Sequence, residues 1–191
     1  MKEMVQNVKT KAKAALQGHW FGSIVVFLVF VLLFIALDAT GIGVVFTGLL
    51  YFGYAAVSME LFKKKKVKLG AMFHGMFKGF FEKWGASLLI SVYVFLWSLL
   101  LIIPGIIMSY AYSMTCYIMQ ENPGMSMGLA IAKSRRMMKG HKWELFLLDL
   151  SFTGWMLLSI LTLGLALFYV WPYYQAARAA FYYEIKKGAQ K

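Results

Sequence analysis

The sequence is poor in charge and poorer still in acid: 15% of its 191 residues are charged, and 8 Asp and Glu stand against 20 Lys and Arg. Cys116 is its only cysteine, which excludes an internal disulfide framework and a cysteine-based zinc site. So little charge beside a hydrophobic content of 61% excludes disorder and argues against a soluble domain, where about a quarter of the residues are charged. The length favours one domain over residues 1–191. A formal net charge of +12 on a polar chain would suggest a nucleic-acid face. On so apolar a chain it points to a membrane, and no nucleic-acid partner is expected.

The marks of catalysis are missing as well. His19, His74 and His141 fall in three separate segments without a His-x-x-x-His or Glu-x-x-His spacing, so a metal site is not expected. There is no Walker loop, dinucleotide glycine fingerprint or Gly-x-Ser-x-Gly elbow. The chain therefore reads as non-enzymatic and without a cofactor.

What is present is hydrophobic length. A helix needs about 20 mostly apolar residues to cross a bilayer, and six stretches come near that: Trp20–Leu37, Gly41–Leu61, Trp84–Ile103, Gly105–Gln120, Trp143–Leu161 and Leu163–Tyr183. No small-x-small cleavage site follows Ala36, so the first stretch reads as a retained helix rather than a signal peptide. The fourth is the weakest, about 24 Å at helical rise before Asn122-Pro123.

Basic connections tend to remain cytoplasmic, and here they alternate with connections lacking Lys and Arg. Lys2, Lys9, Lys11 and Lys13 precede the first span; Lys63, Lys64, Lys65, Lys66, Lys68, Lys78 and Lys83 separate the second from the third. Lys133, Arg135, Arg136, Lys139 and Lys142 separate the fourth from the fifth, and Lys186, Lys187 and Lys191 follow the sixth. The connections at Asp38–Thr40, Pro104 and Thr162 carry none. The expected architecture is all-α: a polytopic plasma-membrane protein of six transmembrane helices in three hairpins, with both termini cytoplasmic.

Trp20, Trp84 and Trp143 each begin an odd-numbered span, and Gly41, Gly105 and Gly164 follow them at one fixed interval. The pattern suggests internal repeats over about 1–62, 63–122 and 123–191; bilayer thickness alone would also place Trp and Gly in this way. A basic juxtamembrane helix precedes each hairpin. In the clearest, Leu69, Met72, Phe73, Met76, Phe77, Phe80 and Phe81 share one helical face, which places it flat in the headgroup layer. Met1, Met4, Val5, Val8, Ala12 and Leu16 form a weaker stripe, and Ser126 and Gly140 bound the third segment.

Lys63, Lys64, Lys65 and Lys66, with Arg135, Arg136, Lys139 and Lys142, are the candidate contacts to the phosphates of anionic phospholipid, at about 1 kcal/mol per basic residue. The same residues also read simply as topology signals. Two charges lie within spans, where they are costly and usually face a partner or water. Asp149 sits about 9 Å into the fifth helix and Arg178 about 12 Å into the sixth, depths that match in an antiparallel hairpin and place the two side by side as an ion pair. Pro172 breaks a backbone bond inside the sixth helix and should kink it.

The residues SRRMMKGHKW (134–143), LDLSFTGW (148–155), LTLG (161–164), SYAYSMTCYIMQENP (109–123) and PYYQAARAAFYYEI (172–185), and more loosely ALQGHW (15–20), resemble a bacterial family of integral membrane proteins, domain of unknown function 975. Members commonly carry proline where Cys116 stands. The resemblance implies a helical plasma-membrane protein without an assigned activity. A remoter similarity to the membrane portion of some glycerophosphodiester phosphodiesterases hints at lipids, although none of their catalytic motif is present. The expected function is that of a membrane accessory or scaffold protein that binds anionic phospholipids and engages other membrane proteins. The alternative is a small transporter or channel built on Asp149 and Arg178.

Overall fold

A computed structural model describes residues 2–40, 43–64, 66–100, 102–162 and 164–188. Gly41, Lys65 and Lys191 lie outside the described residues. The fold is all-α, with no strand among the described residues. In chain order its helices are α1 (Lys2–Leu16), α2 (Trp20–Ala39), α3 (Gly43–Lys64), α4 (Leu69–Phe77), α5 (Phe80–Leu100), α6 (Ile102–Tyr112), α7 (Thr115–Glu121), α8 (Met127–Met137), α9 (Lys142–Leu161) and α10 (Leu167–Gly188).

Two helices form the centre. α3 and α10 touch each other, and between them they also meet α1, α2, α4, α5, α7 and α9. Small residues allow this: Ala176, Ala177, Ala179 and Ala180 of α10 are all buried, as is Gly53 of α3, which presses against α4. Close backbone approach is how helices gain contact where burial from water contributes little.

Four stretches are long and apolar enough to cross a membrane: Trp20–Ala39, Phe80–Leu99, Ile102–Glu121 and Lys142–Leu161. Their apolar surface faces outward; in Phe80–Leu99 only 17% of the window is buried inside the protein. Phe95, Leu99, Ile102, Ile103, Ile160 and Leu161 are all exposed. Monomeric soluble proteins rarely show so large an apolar surface, and the arrangement is compatible with a multi-pass membrane protein.

Several local expectations need correction. The stripe from Leu69 to Phe81 is not one helix: Gly79 takes φ +68 and separates α4 from α5. Met72 and Met76 are buried, while Phe73, Phe77 and Phe81 remain exposed. The weak stripe of α1 proves central, with Val8, Ala12 and Leu16 at 1% exposure or less. Pro104 belongs to the first turn of α6 rather than to a connection, a position where its missing N–H breaks no helical bond. Beyond it the fourth stretch is interrupted at Ser113 and Met114, between α6 and α7.

Gly18, Gly79 and Gly140 all have positive φ, and each lies between a short helix and one of the long helices α2, α5 and α9. This left-handed conformation carries little penalty only for glycine. His19 and His141 then occupy the N-cap positions of α2 and α9.

Candidate functional site

Ser134 fixes the geometry of the basic segment. It is fully buried on α8, and its hydroxyl donates to the Ala111 carbonyl of α6 at 2.8 Å. With that face committed to packing, Arg135 and Arg136 are turned outward and exposed. The chain then reverses at Gly140 and begins α9 at Lys142. Arg135, Arg136, Lys139 and Lys142 thereby line one open groove of about 720 Å3, together with Met108, Ala111, Ala132, Gly140 and Trp143. No carboxylate lines it. Among the described residues, none pairs with any of the four cations. The acid closest in sequence, Glu144, is taken by His141, whose Nδ1 lies 2.6 Å from Glu144 Oε2.

The other basic cluster has a different setting. Lys65 and the Lys64 side chain lie outside the described residues, and Lys66 is exposed. Lys63 retains 48% of its side-chain exposure, but its Nζ lies 3.6 Å from Glu121 Oε1. Glu121 also accepts from Lys186 Nζ and from the Tyr182 hydroxyl, each at 2.6 Å. The carboxylate that ends α7 therefore gathers α3 and α10 and draws on the charge of two lysines. Lys11 is likewise paired, with Glu184.

Asp149 and Arg178 are brought together: Arg178 Nη2 lies 3.7 Å from Asp149 Oδ2, with 25% and 22% of the respective side chains exposed. That separation is too long for a direct hydrogen bond. The guanidinium also stands over the Tyr174 ring at 5.4 Å. Asp149 Oδ1 and Arg178 Nε are buried without a hydrogen-bond partner among the described residues. Pro172 sits inside α10 and is buried. The space it borders with Leu16, Tyr54 and Ala176 is only about 10 Å3, close to the minimum that admits one water.

Sequence reasoning assigned Lys83 and Lys9 to basic connections; the structure turns both inward. Lys83 is 5% exposed, and its Nζ donates to the Gly75 carbonyl at 2.5 Å and to Gln120 Oε1 at 3.1 Å. Gln120 Nε2 donates in turn to the carbonyls of Phe52 and Gly75, at 2.7 and 2.8 Å. These bonds join α3, α4, α5 and α7. Lys9 Nζ lies 3.5 Å from the Ser151 carbonyl and 4.7 Å from the Phe152 ring centre, and burial lowers its pKa. Neither role was visible from spacing, because each depends on an element distant in the chain. Among the described residues, no three His, Cys, Asp or Glu side chains converge as a metal site.

Residues 99–189, a little under half of the chain, match a family described as "Protein of unknown function (DUF975)". The matched stretch includes the whole α6–α8–α9 groove and both members of the Asp149–Arg178 pair. Neither the curated proteins nor the solved structures contain a match to the chain.

Proposed function

We propose that this chain is a non-enzymatic integral protein of the plasma membrane that binds anionic phospholipid headgroups at the α8–α9 turn. In this reading six helices span the bilayer in three hairpins, and both termini are cytoplasmic. The observation that carries the proposal is the groove of Arg135, Arg136, Lys139 and Lys142, whose charge no carboxylate of the described residues offsets. A topology signal requires only that cations be present in a connection. It does not require them to converge, whereas a phosphate does. Trp143 at the groove's edge suits the headgroup layer, where amphipathic rings are enriched. A bound lipid would make the protein an accessory or scaffold whose position among other membrane proteins responds to lipid composition.

The test is binding of dioleoyl phosphatidylglycerol against dioleoyl phosphatidylcholine to the detergent-purified protein, read by native mass spectrometry. Wild type should prefer the anionic lipid by about tenfold or more, which needs only about 1.4 kcal/mol of the about 1 kcal/mol available at each of four cations. Gln at positions 135, 136, 139 and 142 should abolish that preference, while Gln at 66 and 68 should leave it. Equal binding of the two lipids by wild type would end the proposal.

A transport reading draws on Asp149 Oδ1 and Arg178 Nε, buried polar atoms without hydrogen bonds among the described residues. Against it, none of the grooves described above is lined by either residue, and α10 is tightly packed beside Pro172. Ion or proton flux through proteoliposomes that Asp149→Asn abolishes would favour this second reading.

A further inference from the structure

The basic groove does not end at its cations. A second depression of about 330 Å3 adjoins it, lined by Leu89, Tyr93 and Trp97 of α5, Tyr112 of α6, and Gly128 and Ile131 of α8. Met108, Ala132 and Arg135 line both. The surface thus passes from four cations, over a waist made by Met108 and Ala132, into a seat of aliphatic and aromatic side chains. No carboxylate lines either half.

The register of α8 explains the gradient. Gly128, Ala132 and Arg135 follow one another at i, i+4 and i+7, so they share a helix face. Along that face the side chain grows from none, to a methyl, to a cation. A Cβ added at Gly128 would meet nothing within 4 Å, so the seat is open above that residue. On the opposite wall Tyr93 and Trp97 stand one turn apart on α5, both partly exposed, and the Tyr93 and Tyr112 ring centres lie 6.1 Å apart. α5 is one of the helices whose outer face is apolar, so the seat opens toward the layer from which an acyl chain would enter.

We infer that this two-part groove holds a single anionic phospholipid, with its phosphate among Arg135, Arg136, Lys139 and Lys142 and one acyl chain laid over Ala132 against Tyr93 and Trp97. Soluble phosphate would use only the cationic half, and a neutral lipid only the apolar half. The combination selects an amphiphile with both parts, and both volumes fall within the usual range for small-molecule sites. The inference rests on the headgroup reading and adds a chain to it, turning a surface attraction into a site for one molecule.

Ala132→Phe tests the chain seat, because it fills the waist from an exposed position and removes no charge. In the same titration with dioleoyl phosphatidylglycerol, denying the seat to even two methylenes should weaken binding about tenfold. The preference over phosphatidylcholine should persist in whatever binding remains. Gly128→Leu, which fills the seat one turn away, should act in the same direction. Far-ultraviolet circular dichroism and a monodisperse elution profile check that each variant folds. If Ala132→Phe and Gly128→Leu both bind like wild type while the four-Gln variant loses its preference, the chain seat is overturned and the headgroup reading stands. If the four-Gln variant also binds like wild type, both fall.

Discussion

Removing one member of the Asp149–Arg178 pair should cost far more than removing the second afterwards. The charges are 3.7 Å apart, with roughly three quarters of each side chain covered. At an effective dielectric of about 20 their attraction is about 4 kcal/mol. Partial exposure and the absence of a direct hydrogen bond reduce the recoverable coupling to about 2 kcal/mol. Breaking a fully buried pair costs about 3–5 kcal/mol because the survivor stays uncompensated; the exposure here brings each single change to about 2–3 kcal/mol. Asp149→Asn, Arg178→Gln and the double variant form a cycle measurable by unfolding in mixed detergent micelles. Loss of the Arg178 contact with the Tyr174 ring enters both the single and the double change, so it cancels from the coupling. A coupling below about 0.5 kcal/mol, within ordinary additivity, would refute the reasoning and leave two charges that are neighbours without being partners.

Three further outcomes are expected. An added Cβ at Gly75 would collide with the Cβ of Ala56, so Gly75→Ala should destabilise the α3–α4 contact by about 1–3 kcal/mol, and Ala56→Gly should restore part of the loss in thermal unfolding. Gln120→Leu strips one acceptor from the buried Lys83 and one donor from the Phe52 carbonyl; about 2–3 kcal/mol should be lost, measurably less when Lys83→Met is added, and additive losses would show that the two do not act together. Cysteine at Ala39 or Gly164 in a Cys116→Ser background should react with an impermeant maleimide only from outside the cell; labelling only from the cytoplasmic side would reverse the proposed orientation.

Much of the fold could be read from hydrophobic length alone. The stretches starting at Trp20, Trp84 and Trp143 reappear within α2, α5 and α9 with ends shifted by a few residues, because a run of apolar residues has few alternatives to a helix. The packing of those helices was less legible. Val8, Ala12 and Leu16 form an unremarkable stripe by hydrophobicity, yet they are among the most buried residues, since the helix that covers most of them, α10, lies far along the chain. The apolar face from Leu69 to Phe81 looks continuous on a helical wheel, and only the conformation at Gly79 divides it. The two basic clusters are nearly equivalent as strings of letters. They differ because Glu121, far along the chain from Lys63, reaches across to one of them, while no acid among the described residues reaches the other.

The burial of α1 has a consequence for the order in which the molecule is completed. Val8, Ala12 and Leu16 find their cover largely on α10, and Lys11 finds its counter-ion at Glu184. α1 is synthesised before α10 and thus waits for it, at about 5–20 residues per second, for roughly ten to thirty seconds. During that interval α3 and α9 cover only part of its apolar face, and the rest has lipid or a chaperone for company. The seam between α1 and α10 closes the chain into a ring of contacts, and any product arrested before α10 would carry an unclosed seam that quality control could recognise.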